Sequence, residues 1–316
     1  MTDFSMITDV KKQHTVPRFL LHNFSHGSKK IKQLYTFDIE TNRVFKQSER
    51  DATTRKKFYN FDADVEGASL EPMFGVIESD VAPIFESIIS NQSLRHLERH
   101  QREVVSVFVI AQRARTFGAL QQFESLAQTI FSKGDIGEYK VQNDYLISVV
   151  QQLELTKYIL DKEWVLYSSD IETPFLISDH PVVFHNHNES QGRGNLGLDV
   201  EGIQIHMPLT PTLSIGFLCP TVSGQFRSAA KQIMDLKVTN PALLSQLQNP
   251  DSIVEIADHI NNGTPYKLPK QSVDFQNSLQ VSFAEQYIFS SVNDFSLVRT
   301  MVSSAPERRK PSSRFQ

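Results

Sequence analysis

The residues of this chain best suited to chemistry lie in four separate stretches. The first is Lys12 to Phe24, KQHTVPRFLLHNF, where Gln13, His14 and Arg18 sit among large apolar side chains. An imidazole titrates near neutral pH and a guanidinium presents a planar fork of donors, so His14 and Arg18 together suit an anion. The competing use is mechanical: the two side chains pin an N-terminal arm to the body through hydrogen bonds, as buried polar groups usually do. The second stretch is Gln112, Arg113 and Arg115, directly after the most apolar run of the chain, Val104 to Ala111. Gln112 and Arg115 are three apart and share a helix face. Charges at the end of a buried helix must be paired or must face a cavity. Glu71 and Glu78, on the preceding helix, are the third stretch and the partners on offer if the two helices form an antiparallel hairpin. That pairing would make a structural ion-pair network. The fourth is Ser178-Asp179-His180-Pro181, where Asp179 ends an apolar strand before a proline turn. The position suits a working carboxylate, and equally an Asx-turn in which Asp179 caps its own backbone.

Other constellations carry less. His185 and His187 point to one side of a strand, with His180 close in sequence, a spacing a metal site could use. No cysteine or clear carboxylate completes the set of three or four ligands that such a site needs. His96-Leu97-Glu98-Arg99-His100 has the histidine spacing of HExxH, with its glutamate in the wrong place for the metalloprotease base. No Walker loop, GxSxG, CxxC or GxGxxG occurs, and Gly192-Arg193-Gly194 is too short for a phosphate loop. No residue is assigned as a metal ligand, and a divalent cofactor is left open.

The elements that must position these residues follow from pattern. Pro17 forces an extended residue before it and suits the first turn of a short helix that ends near Gly27. Ile31 to Glu40 predicts a strand, with Arg43 to Lys46 returning as its hairpin partner and Lys57 to Phe61 as a third strand. Ser69 to Ile89 has helical spacing, with a kink expected at Pro83. A second helix over Leu94 to Gln122, capped by Asn91 or Ser93, is apolar on nearly all sides and therefore central. Lys133-Gly134 breaks the pattern, and Asn143 to Leu160 forms a third helix. Strands follow over Glu163 to Ser168, Phe175 to Ile177 and Val182 to Phe184, with an antiparallel pair at Gly202 to Met207 and Leu213 to Leu218. Helices are expected over Ser223 to Leu236, Ala242 to Leu247, Ser252 to Asn261 and Phe275 to Glu285.

Blocks of strands and helices that interleave without regular alternation predict an α+β fold, with antiparallel sheet segments packed against a core of long helices. No Pro/Gly/Ser linker interrupts the middle, so residues 12–303 are expected as one domain between a flexible 1–11 and a disordered, charged 304–316. The net charge of −4 argues against broad coating of nucleic acid, although basic clusters such as Lys29-Lys30-Lys32 and Arg55-Lys56-Lys57 gather in the first sixty residues. No apolar run reaches the roughly 18 residues of a membrane helix, and no signal peptide is evident. The one cysteine, Cys219, fits a reducing compartment, so a cytoplasmic protein without a membrane partner is expected.

The block Gln13, His14, Val16, Pro17, Arg18, Leu21 and Phe24 fits the pattern QH-x-[VI]-P-[RQ]-x-x-L-x-x-F in full. Together with Phe58-Tyr59, Glu78, Gln112, Arg115, Ser178-Asp179, Pro181 and Met207-Pro208-Leu209, it resembles the bacterial family called domain of unknown function 4238. The likeness runs over residues 12 to about 295. That family's SD-x-P block carries a small polar residue where His180 stands, which sets His180 aside. The resemblance implies one domain and joins His14, Arg18, Glu78, Gln112, Arg115 and Asp179 into one signature, and it brings no activity with it. If one pocket gathers them, acid/base groups and an anion clamp coexist, which suits phosphodiester or phosphoryl chemistry. The expected function is a hydrolase of a phosphate-bearing substrate, nucleic acid or nucleotide, in the manner of a toxin-like or phage-defence effector. His14, Asp179 and Glu78 would be its catalytic groups, and Arg18, Gln112 and Arg115 its anion binders. The alternatives are a non-catalytic module that binds a ligand or partner, and a stability latch.

Overall fold

The arm that carries His14 enters the fold as a strand. In the computed structural model, which describes residues 6–27, 32–62, 65–130, 141–188 and 195–305, β1 (Lys12–His14) is followed by α1 (Arg18–His22), β2 (His26–Gly27), β3 (Lys32–Asp38), β4 (Arg43–Ser48) and β5 (Thr54–Lys56). The helical centre comprises α2 (Glu71–Asn91), α3 (Arg99–Ala114), α4 (Phe117–Ile130), α5 (Val141–Gln152), a 3-10 turn at Leu153–Leu155, and α6 (Thr156–Leu160). Strands β6 (Glu163–Ser168), β7 (Ile177–Ser178), β8 (Val183–His185), β9 (Gln204–Thr210) and β10 (Leu213–Leu218) come next. The chain continues through α7 (Pro220–Thr239), α8 (Pro241–Leu244), α9 (Pro250–Asn262), β11 (Pro265–Lys267), α10 (Lys270–Phe283), β12 (Tyr287–Ser290) and α11 (Ser296–Ser304).

These elements make the expected α+β fold. One sheet has the order β11-β6-β10-β9-β8, a second β2-β3-β12-β7 with β4 also paired to β3, and β1 pairs with β5 alone. All these pairings are antiparallel except β11 with β6. The largest core cluster joins α2, α3 and the β6-β10-β9 strands through Phe85, Val105, Phe108, Trp164, Ile205, Ile215 and Phe217. α3 lies in it because its apolar residues fall on nearly every side: Val105, Phe108, Val109 and Ile110 are all buried. The anchor of the arm packs elsewhere. Val16, Leu20, Leu21 and Phe24 are wholly buried against Leu34, Ile177 and Phe289 of the second sheet. Phe19 reaches the other way, to the rings of Phe85 and Phe108. α1 is therefore a bolt between sheet and helices.

Several local expectations are corrected. The long second helix divides at Arg115-Thr116, without Gly or Pro, because tyrosine hydroxyls take over the carbonyls that the break frees. Tyr145 Oη donates to the carbonyls of Ala114 and Thr116, and Tyr59 Oη to that of Arg115. α3 starts with a capping box of Glu98 and Gln101, not at Ser93 or Asn91. The strand expected at Lys57 to Phe61 is displaced to β5, and Lys57 turns with φ 51°. α1 ends at His22, and Gly27, expected as its cap, pairs in β2. α2 passes through Pro83 as one helix. The pattern did not reveal β11, β12 and α11. Met6 and Thr8 are tied to the body by Ser69 N donating to the Met6 carbonyl and Thr8 N to that of Gly67. Residues 1–5, 306–316, Lys133-Gly134 and Gly192-Arg193-Gly194 lie outside the described residues.

Candidate functional site

Gln13 holds the arm from inside. It is wholly buried. Its Oε1 accepts the Tyr59 backbone N–H at 2.7 Å, and its Nε2 donates to Asn60 Oδ1 at 2.9 Å, Ser69 Oγ at 3.4 Å and the Val10 carbonyl at 3.3 Å. A primary amide saturated on both ends leaves β1 little freedom to slide. The next residue, His14, is thereby fixed. Its carbonyl accepts the Tyr59 hydroxyl at 3.1 Å, and its ring Nε2 lies 3.1 Å from the Arg50 carbonyl. A carbonyl only accepts, so Nε2 carries the proton and Nδ1 keeps its lone pair. No hydrogen bond engages Nδ1 among the described residues.

Behind this strand stands Arg115, the largest fully buried side chain. Its Nε and Nη2 donate to Gln112 Oε1 at 3.0 and 2.9 Å, and its Nη1 meets Glu78 Oε1 at 2.7 Å. Gln112 Nε2 then donates to the Thr15 carbonyl at 2.9 Å. The helix hairpin is real, and Glu78 is the partner taken. A chain of contacts thus runs from α2 through Arg115 and Gln112 to the residue beside His14. All three donor nitrogens of Arg115 are occupied, so the arginine supports the site and offers no open fork to a ligand.

The electrostatics converge on His14. Burial lowers its pKa, and this outweighs the raising effect of the Arg50 carbonyl and of Glu78, while Arg115 and Arg18 lower it further. The imidazole is therefore a neutral base at neutral pH. Glu71, one helical face along from Glu78, is pushed up to about 7 by burial and by the Glu78 charge, against the pull of Arg115. A carboxyl that titrates near neutrality and a neutral imidazole, both within the field of Glu78 and Arg115, are groups of the kind working sites contain. Glu71 entered the sequence reading only as an ion-pair partner; its i,i+7 spacing from Glu78 was the signal.

Arg18 and Asp179 are held by other groups. Arg18 donates through Nε and Nη2 to Glu49 Oε1 at 3.2 and 3.1 Å, while His22 Nδ1 meets Glu49 Oε2 at 2.9 Å. Its guanidinium is half-exposed, and Nη1 has no partner among the described residues. Asp179 accepts three backbone N–H groups, from Glu285 at 2.8 Å on Oδ1 and from Gln286 and Tyr287 at 2.8 and 2.9 Å on Oδ2. It ties the end of β7 to the turn before β12, a backbone-capping duty close to the Asx-turn alternative. Its place in a shared reaction centre with His14 gains no support from these contacts. His180, set aside in the sequence, is buried with Nδ1 2.7 Å from Thr116 Oγ1. His185 and His187 bond one another at 2.9 Å, and among the described residues no group of three His, Cys, Asp or Glu is placed to hold a metal ion. A metal cofactor therefore finds no fitting ligand set among them. No helix among the described residues is long and apolar enough to cross a membrane.

The family described as "Protein of unknown function (DUF4238)" matches residues 12–294, and the chain belongs to it. No curated protein and no solved structure matches.

Proposed function

We propose that this member of the DUF4238 family is a hydrolase of phosphate-bearing substrates, with His14 as its general base. The observation that carries the reading is the fixed imidazole: Nε2 tied to the Arg50 carbonyl, Nδ1 open, and a pKa lowered by burial so that the lone pair is available at neutral pH. Nδ1 would take a proton from the attacking water. Glu71, at about 7, is protonated often enough at neutrality to give a proton to the leaving oxygen. Arg18 has a free Nη1 on an exposed edge and would meet the phosphate, while Arg115, Gln112 and Glu78 hold the frame. Asp179 has no step in this scheme.

RNA, DNA and nucleotides are the substrates to assay, and toxicity on expression would fit the toxin-like setting. Multiple turnover by the wild-type chain, falling about a hundredfold or more in His14→Ala at unchanged melting temperature, is the expected result. Absence of turnover with every phosphate ester tried would overturn it. One observation favours a second reading, a non-catalytic binding module: both arginines expected to clamp an anion are already paired, with Glu78 and with Glu49. On that reading His14→Ala weakens ligand binding and no turnover occurs.

A further inference from the structure

Arg113 stands two residues before the buried Arg115 and is used quite differently. Its Nη1 donates to Gln152 Oε1 at 3.3 Å and its guanidinium lies 4.8 Å from the centre of the Phe184 ring. Nε and Nη2 have no hydrogen bond, and no carboxylate pairs with it, among the described residues. Burial lowers its pKa with no opposing charge to offset it. Arginines drawn out of solvent are normally paired, as the buried Arg115 is here with Glu78, whereas Arg113 is only partly buried and has no ion pair among the described residues. An unpaired one at the wall of a cavity is a vacant anion contact.

The cavity is there. It has a volume of about 240 Å³ and is lined by Arg113, Gln152, His180, Phe123 and Phe283 among others, between α3, α4, α5 and α10. Leu126, more than half exposed, marks its rim. The Thr116 hydroxyl accepts the Ala119 backbone N–H at 3.2 Å and shares a 2.7 Å hydrogen bond with His180 Nδ1. His180 is a neutral ring, since burial, with the Arg113 charge behind it, holds the group at about 3. The polar side of the cavity offers one full positive charge, on Arg113, among the neutral side chains of Gln122, Ser148, Gln152 and His180, facing aromatic walls. That charge balance fits a monoanion and not a dianion.

We propose that this cavity binds a small organic monoanion, its carboxylate on Arg113 and its planar apolar body against Phe123 and Phe283. The site is separate from the proposed reaction at His14.

The test is calorimetric titration of the full chain with benzoate, its neutral isostere benzamide, and phenyl phosphate. Benzoate is expected to bind with a dissociation constant of roughly 1 mM or below. Benzamide should bind at least about tenfold more weakly, because it lacks the charge-assisted pair. Arg113→Met should reduce benzoate binding about tenfold or more. Ala119→Phe, which fills the cavity from α4 and leaves Arg113 in place, should abolish it, and His14→Ala should leave it unchanged. No benzoate binding, equal binding of benzamide, tighter binding of phenyl phosphate, or full binding by the folded Ala119→Phe protein would each overturn the proposal.

Discussion

Replacing Arg115 by Met tests whether the buried polar chain holds the arm. Methionine keeps most of the aliphatic volume and loses the guanidinium, whose carbon lies 4.8 Å from the centre of the Phe74 ring. It removes both donors from Gln112 Oε1, which is wholly buried and gains no water in exchange. An acceptor stranded in that way costs about 1–3 kcal/mol. It also breaks the 2.7 Å pair with Glu78, whose side chain is 28% exposed and can rehydrate. That loss is therefore about 1 kcal/mol, well short of the figure for a fully buried charge. The sum is about 3 kcal/mol at pH 7. Urea denaturation followed by the fluorescence of Trp164, the one tryptophan and itself buried, measures it. A double-mutant cycle with Glu78→Gln should return a coupling of about 1–2 kcal/mol. A loss below about 1 kcal/mol, or a coupling indistinguishable from zero, would refute the view that Arg115 anchors the hairpin and the arm.

Asp179→Asn should destabilise the protein by about 2–4 kcal/mol, since the new amide N–H₂ faces backbone donors that a carboxylate satisfied. The folded fraction should keep its turnover; lost turnover at full stability would return Asp179 to the reaction. Glu71 has its pKa raised on folding, so its burial destabilises progressively as pH rises from the ordinary carboxylate range through about 7. Glu71→Gln should therefore be more stable than wild type above pH 7, by on the order of 1–2 kcal/mol after allowance for solvent access, and equal near pH 4. Stability curves that coincide at high pH would contradict the shift. Glu49 is lowered: burial opposes ionisation, and the hydrogen bonds from His22 and Arg18 outweigh it. Its contribution is present above the ordinary carboxylate range and disappears as pH falls through the lowered value. Glu49→Gln should cost about 2 kcal/mol at pH 7 and flatten the acid limb of the stability curve.

The sequence made some of this structure legible, for identifiable reasons. Val16, Leu21 and Phe24 were readable as an anchor because their spacing after Pro17 has few other uses, and all are wholly buried. The β3–β4 and β9–β10 hairpins were readable because β-forming runs flank turn residues. The pairing of Arg115 with Glu78 was open to inference because a charge at the end of so apolar a helix needs a partner. The break after Ala114 was not, since it depends on hydroxyls of Tyr59 and Tyr145 arriving from elsewhere in the chain. Asp179 looked like a working carboxylate because sequence cannot show that three amides from residues 285–287 would converge on it. Arg113 and His180 were named in the sequence but given no joint role, because the cavity they share is formed by segments that the chain brings together from Arg113 to Phe283.

The proposed chemistry requires His14 to be held as a neutral base within the field of Glu78, Arg115 and Arg18. An NMR pH titration of the His14 ring tests it most directly. The expected pKa lies below the ordinary imidazole value of about 6.5, and it should fall further in Glu78→Gln, which removes the charge that raises it. A value at or above about 6.5 that ignores the Glu78 substitution would contradict the claim.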